Sequence, residues 1–162
     1  MQLTFTPYKM RNMKFIVIES NVWYNKYEER GRNMGFSKYQ FIGKLNTKFL
    51  EIEFGKLATN ELILTDERDE HIKERHAQDY NLFHKCVYDV VSIPDVVLRD
   101  SKNQNTVFYI KYIEETHLNI VIRLSLEIED NNKKNSIITS YQLGTKTLKR
   151  LKKNNKTLYS KE

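Results

Sequence analysis

Two histidines and two arginines lie close together in one polar stretch that begins at Thr65 and reads T-D-E-R-D-E-H-I-K-E-R-H. Thr65 is a typical N-cap residue, and the acidic residues after it complement the positive end of a helix dipole. We therefore predict a single helix over residues 66–85. On this helix His71 and Arg75 share a face, while His76 lies about 140° round the axis from His71.

Three interpretations of this stretch compete. A zinc site needs helical histidines four residues apart, whereas His71 and His76 are five apart and the only cysteine is Cys86, so a zinc site is disfavoured. The second interpretation is a charged helix with solvated histidines. The third is acid–base chemistry on a phosphodiester, because histidine exchanges protons near neutral pH and arginine holds phosphate oxygens. Composition alone does not decide between the last two.

The composition fits one basic globular domain of 162 residues with a net charge of +6 and a pI near 9.2. This charge suggests a polyanionic partner such as nucleic acid, although basic surfaces also arise for solubility. A single cysteine allows no internal disulfide, which favours a reducing compartment. Neither a transmembrane run nor a signal-peptide pattern is present in the sequence, so we expect a cytoplasmic protein without a membrane partner.

The first 40 residues form an N-terminal extension to the rest of the chain. We predict strands at residues 3–8 and 14–19 there, as a hairpin or a docking element. Trp23, Tyr24 and Tyr27 follow in a polar segment. These rings form either a base-stacking surface or, as we favour, aromatic packing onto the neighbouring domain.

Further strand candidates precede and follow the predicted helix. The segments 36–45, 49–54 and 60–64 come before it. A short helix at residues 86–92 comes after it and ends before Pro94, because the residue before a proline disfavours helical geometry. A strand at residues 95–98 follows.

The second half of the chain carries the strongest strand periodicity. Residues 106–113, 118–127 and 136–143 alternate apolar and polar side chains and are joined by short turns, which predicts an antiparallel meander of three core strands. The apolar face of the middle strand is predicted to pack against the 66–85 helix. Arg123 then points to the opposite, more open face, where it needs a partner or an anion. Lys111 and Thr139 would complete a cationic surface if they share that face.

A short basic helix is predicted over residues 145–155, with Leu148 and Leu151 facing inward. Its charged side chains either form a solvated face or follow a phosphate backbone. They include Lys149, Arg150, Lys152 and Lys153.

Several short motifs occur in a definite order along the chain. They are Gly43-Lys44-Leu45, Phe54-Gly55-Lys56, Thr65-Asp66-Glu67-Arg68, His71-Ile72-Lys73-Glu74-Arg75-His76, Asp79-Tyr80, Pro94-Asp95, Asn105-Thr106, Arg123-Leu124, Asn135-Ser136-Ile137-Ile138-Thr139 and Leu158-Tyr159. With this series, residues 43–162 resemble the third phage subfamily of the phage-borne nucleases in the barnase, EndoU, colicin and RelE superfamily. The terminal Tyr159-Ser160 departs from the Tyr-Lys ending that is usual in that family.

The resemblance implies an α+β fold, in which a small twisted antiparallel sheet packs against an N-terminal helix over residues 41–162. It also implies metal-independent RNA cleavage without a cofactor, by a phage or mobile-element protein in the host cytosol. RNA (transfer or messenger RNA) is the implied substrate. The resemblance also suggests a protein partner, which would be an inhibitor or immunity protein or a host protein.

The residues fit cleavage of RNA by its own 2′-hydroxyl. His71 or His76 would act as acid or base, and Arg75, Lys111 and Arg123 would stabilise the charge on phosphorus. Ser136 or Thr139 would donate a hydrogen bond to the phosphate, and the basic C-terminal helix would bind substrate. Arg68 would either bind substrate as well or order the start of the helix. The alternatives are a nucleic-acid-binding protein without catalysis and a phage regulatory protein that binds a host factor through residues 1–40.

Overall fold

The computed structural model describes residues 39–129 and 133–161, which form a seven-stranded mixed β-sheet and four helices. The predicted α+β class is therefore confirmed. The strands and the aromatic cluster predicted within residues 1–38 lie outside the described residues.

The order of elements alternates between strands and helices in the first half of the chain. The strands are β1 (Tyr39–Lys44), β2 (Glu61–Thr65), β3 (Val96–Arg99), β4 (Thr106–Ile113), β5 (Thr116–Arg123), β6 (Asn135–Leu143) and β7 (Lys156–Ser160). The helices are α1 (Thr47–Phe54), α2 (Asp66–Arg75), α3 (Ala77–Ser92) and α4 (Thr145–Asn154).

The strands lie in the order β1-β2-β6-β5-β4-β3-β7. The predicted antiparallel meander is confirmed for β4, β5 and β6. The prediction of a wholly antiparallel sheet is wrong, because β2 pairs in parallel with β6, with Ile63 beside Ser136. A parallel pair needs a long connection, and the elements between β2 and β6 supply it.

The two faces of the sheet are covered by different helices. On one face, which we call the α3 face, Leu118, Ile120 and Ile122 share a core with residues of α3 such as Phe83. This confirms the predicted burial of the middle strand. On the other, the α4 face, the side chains include Val121 and pack with Leu148 and Leu151 of α4.

A β-bulge in β6 changes which of its side chains share a face. Ile122 of β5 is opposite Ile137, whereas the preceding Val121 is opposite Thr139. Ile138 is the extra residue, so Ser136 and Thr139 both lie on the α4 face while Ile137 lies on the α3 face. The simple alternation predicted from the sequence, with Ile137 and Thr139 on one side, is therefore wrong.

The predicted helix over residues 66–85 is divided at His76. The backbone of His76 (φ −133°, ψ 44°) ends α2 and precedes α3. The short helix predicted at 86–92 is the last part of α3 rather than a separate element. The predicted N-cap is confirmed, because the Thr65 hydroxyl accepts a hydrogen bond from the amide of Arg68 at 3.3 Å.

Two predictions near the ends of the domain need correction. Residues 49–54, predicted as a strand, belong to α1, whose N-cap Asn46 accepts a hydrogen bond from the amide of Lys48 at 3.2 Å. The C-terminal helix is confirmed, but the strand β7 that follows it was not predicted. β7 pairs with β3, and its Tyr159 ring stacks on Phe49 of α1 with 5.6 Å between ring centroids.

Candidate functional site

The helix α2 packs against the rest of the protein through one buried side chain and one hydrogen-bonded cluster. Ile72 is fully buried in the core on the α3 face. On the flank toward α3, the Asp69 carboxylate accepts a hydrogen bond from the Tyr80 hydroxyl at 3.0 Å and lies 2.7 Å from His84 Nε2. This three-residue cluster sets the position of α2 relative to α3.

The basic side chains of α2 lie on its other flank. At about 100° per residue, Arg68, His71 and Arg75 fall on the side of Ile72 opposite Asp69. Arg68 and His71 are partly buried and Arg75 is exposed. This flank therefore faces away from α3.

His76 brings the end of α2 to the sheet. Its ring centroid lies 5.6 Å from that of Tyr141 in β6. Tyr141 is opposite Asn119 of β5, and Val121 two residues further along β5 is opposite Thr139. Tyr141 therefore lies on the α4 face, like Thr139. His76 is thus positioned at the boundary between α2 and the α4 face of the sheet.

Polar atoms without a partner lie on the sheet beside Tyr141. Within the described residues, the hydroxyl of Thr139 is buried and makes no hydrogen bond, and the buried amide of Asn119 has no partner apart from the neighbouring Tyr141 phenol. Such atoms are uncommon in native proteins, because each one destabilises the fold by about 1–3 kcal/mol. Burial also raises the pKa of the Tyr141 phenol, so this hydroxyl keeps its proton as a donor.

Arg123 and Ser136 continue the same face toward the far end of β5. They are direct partners across the β5–β6 ladder. The Arg123 side chain is 48% exposed, and its Nη2 lies 3.8 Å from a carboxylate oxygen of Glu129. The register places Arg123 and Thr139 on one face, so this condition from the sequence analysis is met.

Lys111 does not join this surface, so the condition that the sequence analysis set for it is not met. It is opposite Leu118, whose side chain lies in the core on the α3 face. The Lys111 ammonium donates a hydrogen bond to the carbonyl of Ile93, the C-cap residue of α3. Lys111 therefore neutralises the negative end of a helix.

The cations of α4 form a separate surface. Leu148 and Leu151 pack toward the sheet, as predicted. The basic side chains are exposed to solvent. They are Lys149, Arg150, Lys152 and Lys153.

Sequence reasoning missed Asn119 and Tyr141 as members of this surface. The signal for Asn119 was an amide in an otherwise apolar stretch of β5, and Tyr141 follows Thr139 by two residues in a strand. We define the candidate site as His76, Tyr141, Asn119, Thr139 and the α2 flank described above, with Arg123 and Ser136 at its far end.

Comparisons with protein-family models, curated proteins and solved structures found no match. In residues 39–129 and 133–161, no group of three or more His, Cys, Asp or Glu side chains is arranged to hold a metal ion. No helix in this part of the chain is long and apolar enough to span a membrane.

Proposed function

We propose that this protein is a metal-independent endoribonuclease with a barnase- and RelE-like fold, encoded by a phage or mobile element and active in the host cytosol. The observation that carries the proposal is the contact of His76 with Tyr141 on a sheet face that also presents Thr139 and Arg123. The resemblance of residues 43–162 to phage-borne nucleases supports the same chemistry.

In the proposed reaction the 2′-hydroxyl of RNA attacks the adjacent phosphorus, and the bond from phosphorus to the 5′-oxygen breaks. The products are a 2′,3′-cyclic phosphate and a 5′-hydroxyl. A base takes the proton from the 2′-hydroxyl and an acid gives one to the 5′-oxygen. We assign these two steps to His76 and His71, and either histidine can hold either role.

The other side chains stabilise the charge that develops on the phosphoryl oxygens. Arg75 and Arg68 on the α2 flank, together with Arg123 on the sheet, provide guanidinium groups that hold phosphate oxygens bidentately. The Thr139 hydroxyl is buried and makes no bond within the described residues, so in this proposal it donates to a phosphate oxygen once substrate binding opens the surface that covers it. Ser136 is a second donor of the same kind.

The test is cleavage of total cellular RNA by purified protein in the presence of EDTA. The wild type should produce 2′,3′-cyclic phosphate ends, and His76→Gln should lower the rate by at least about a hundredfold, as loss of a general acid or base does. His117→Gln is the comparison variant, since His117 is also partly exposed but is not assigned to the site, and its ring lies against Tyr112 with 5.0 Å between ring centroids. Because His117 is two residues before Asn119 on β5, this variant also shows whether loss of any histidine on this part of the sheet lowers the rate. Equal rates for the wild type and His76→Gln would exclude the proposed site.

The second candidate function is RNA binding without catalysis. The exposed cations of α4 favour it, because a basic helix can follow a phosphate backbone without any acid–base group. In that case the wild type would bind RNA and leave it intact, and His76→Gln would bind equally well.

A further inference from the structure

Two aromatic rings are exposed on the edge strand β1. Tyr39 is 53% and Phe41 is 48% exposed. They are two residues apart with no bulge between them, so both point to one side of the sheet, about 7 Å apart along the strand. Their exposure shows that no described element covers them.

The register places both rings on the α4 face. Tyr39 is opposite Thr65 and Phe41 is opposite Ile63, while the intervening Gln40 is opposite Leu64, which belongs to the core on the α3 face. The aromatic pair thus shares a face with the candidate site.

A row of side chains joins this pair to the site. Phe41 is opposite Ile63, Ile63 is beside Ser136, and Ser136 is opposite Arg123. These residues belong to four neighbouring strands, so Phe41 and Arg123 are about 14 Å apart across the sheet. Ser136 is also three residues before Thr139 on the same strand and the same face.

One cation lies beside the Tyr39 ring, and a second, Arg123, lies across the sheet at the end of the row. The Lys134 ammonium lies 6.0 Å from the centroid of the Tyr39 ring and forms an ion pair with Glu61. Among residues 39–129 and 133–161, the ion-pair contact of Arg123 is a long one of 3.8 Å with Glu129, so its guanidinium can turn toward a phosphate. Exposed aromatic rings beside cations are the combination by which proteins bind single-stranded nucleic acid, with bases stacked on the rings.

We propose that Tyr39 and Phe41 form a binding surface for single-stranded RNA, on which two unpaired bases stack while Arg123 holds the phosphate that leads to the candidate site. The inference rests on the proposed function only in taking RNA as the ligand. Cleavage itself does not need the aromatic rings of β1, so their proposed role is in binding alone. The proposal also predicts that the RNA bases at this surface are not base-paired.

Binding can be measured without cleavage. A fluorescent 2′-O-methyl pyrimidine oligonucleotide has no free 2′-hydroxyl to attack phosphorus, and its anisotropy reports binding to the full-length protein. Phe41→Ala and Tyr39→Ala should each weaken binding about tenfold, the effect of losing one stacked base. Phe41→Leu, which keeps an apolar side chain on the strand, should weaken it nearly as much.

Tyr112→Ala is the matched control. Tyr112 is 56% exposed but lies on β4 beside His117, and its loss should leave binding unchanged. Replacing Arg123 with Gln should lower the slope of log affinity against log salt by about 0.7, the value for one phosphate of a single strand.

Wild-type affinity in folded Tyr39→Ala and Phe41→Ala would overturn this inference even if the protein cleaves RNA. Weakened binding in these variants without any RNA cleavage by the wild type would instead support the surface and contradict the ribonuclease. The two proposals therefore fail separately.

Discussion

At the scale of single residues, Thr139 separates a catalytic from a structural role most directly. Its hydroxyl is buried and makes no hydrogen bond within the described residues, so Thr139→Val removes a polar group that does not stabilise the fold. We expect the free energy of unfolding to stay the same or rise by up to about 1 kcal/mol. RNA cleavage should fall by about a hundredfold, as on removal of one donor to a transition state. Urea denaturation and an RNA cleavage assay measure the two effects.

Thr106→Val is the control for this prediction. The buried Thr106 hydroxyl donates a hydrogen bond to the carbonyl of Gln104 at 3.0 Å, so its loss should destabilise the protein by about 1 kcal/mol. A destabilised Thr139→Val protein that cleaves RNA at the normal rate would assign the Thr139 hydroxyl to the fold rather than to the site.

At the scale of elements, the cluster of Asp69, Tyr80 and His84 holds α2 against α3 and so positions His76. Burial, and then the Asp69 carboxylate, raise the pKa of Tyr80 to about 12 from an ordinary value of 10.0. The folded protein therefore binds this phenolic proton more tightly than the unfolded chain does. The resulting stabilisation is complete below pH 10 and is lost as the pH rises through about 12.

Tyr80→Phe tests this linkage. The variant should be less stable than the wild type by about 1 kcal/mol at pH 8, where the hydroxyl donates to Asp69. The difference should shrink as the pH is raised above 10, because only the wild type loses this proton. Urea denaturation of both proteins across this pH range measures the difference in free energy of unfolding. The other tyrosines are present in both proteins, so their ionisation contributes equally and does not affect the difference. A difference that is constant with pH would show that the hydroxyl acts only through packing.

The elements that could be predicted from the sequence are those that local chemistry determines. Thr65 caps α2, as expected for a threonine before a helix, because its hydroxyl accepts a bond from a backbone amide. The alternation of apolar side chains in β4 and β5 predicts correctly which of them share a face of the sheet. The bulge at Ile138 could not be predicted, because it depends on pairing with a strand elsewhere in the chain. The same holds for Lys111, whose face depends on the hairpin register, and for the break at His76 inside a polar run without Gly or Pro.

The site was predictable only in part for the same reason. The α2 histidines and arginines stand out by residue type, and Arg123 stands out as a charge in an apolar strand. Asn119 and Tyr141 become visible only when β5 and β6 are paired and the end of α2 is placed against them.

At the scale of the whole molecule, the net charge of +6 includes a group of exposed cations on α4, which present a basic surface to solvent. Replacing its four exposed cations with Gln lowers the net charge to +2, since each change removes one charge. The four are Lys149, Arg150, Lys152 and Lys153. RNA affinity should fall and lose much of its salt dependence, by about 0.7 in slope for each phosphate contact removed. The cleavage rate at saturating RNA should stay within about twofold, because uniform binding does not lower the barrier to the chemical step.

The matched control removes the same charge elsewhere. Four exposed lysines outside α4 and β1 are replaced with Gln in it, namely Lys48, Lys56, Lys73 and Lys85. If general attraction by the net charge governs binding, both variants lose affinity equally. If RNA lies along α4, only the α4 variant loses it. Equal affinity of the α4 variant and the wild type at every salt concentration would show that α4 is a solvated face, and substrate binding would then rest on Arg68, Arg75 and Arg123.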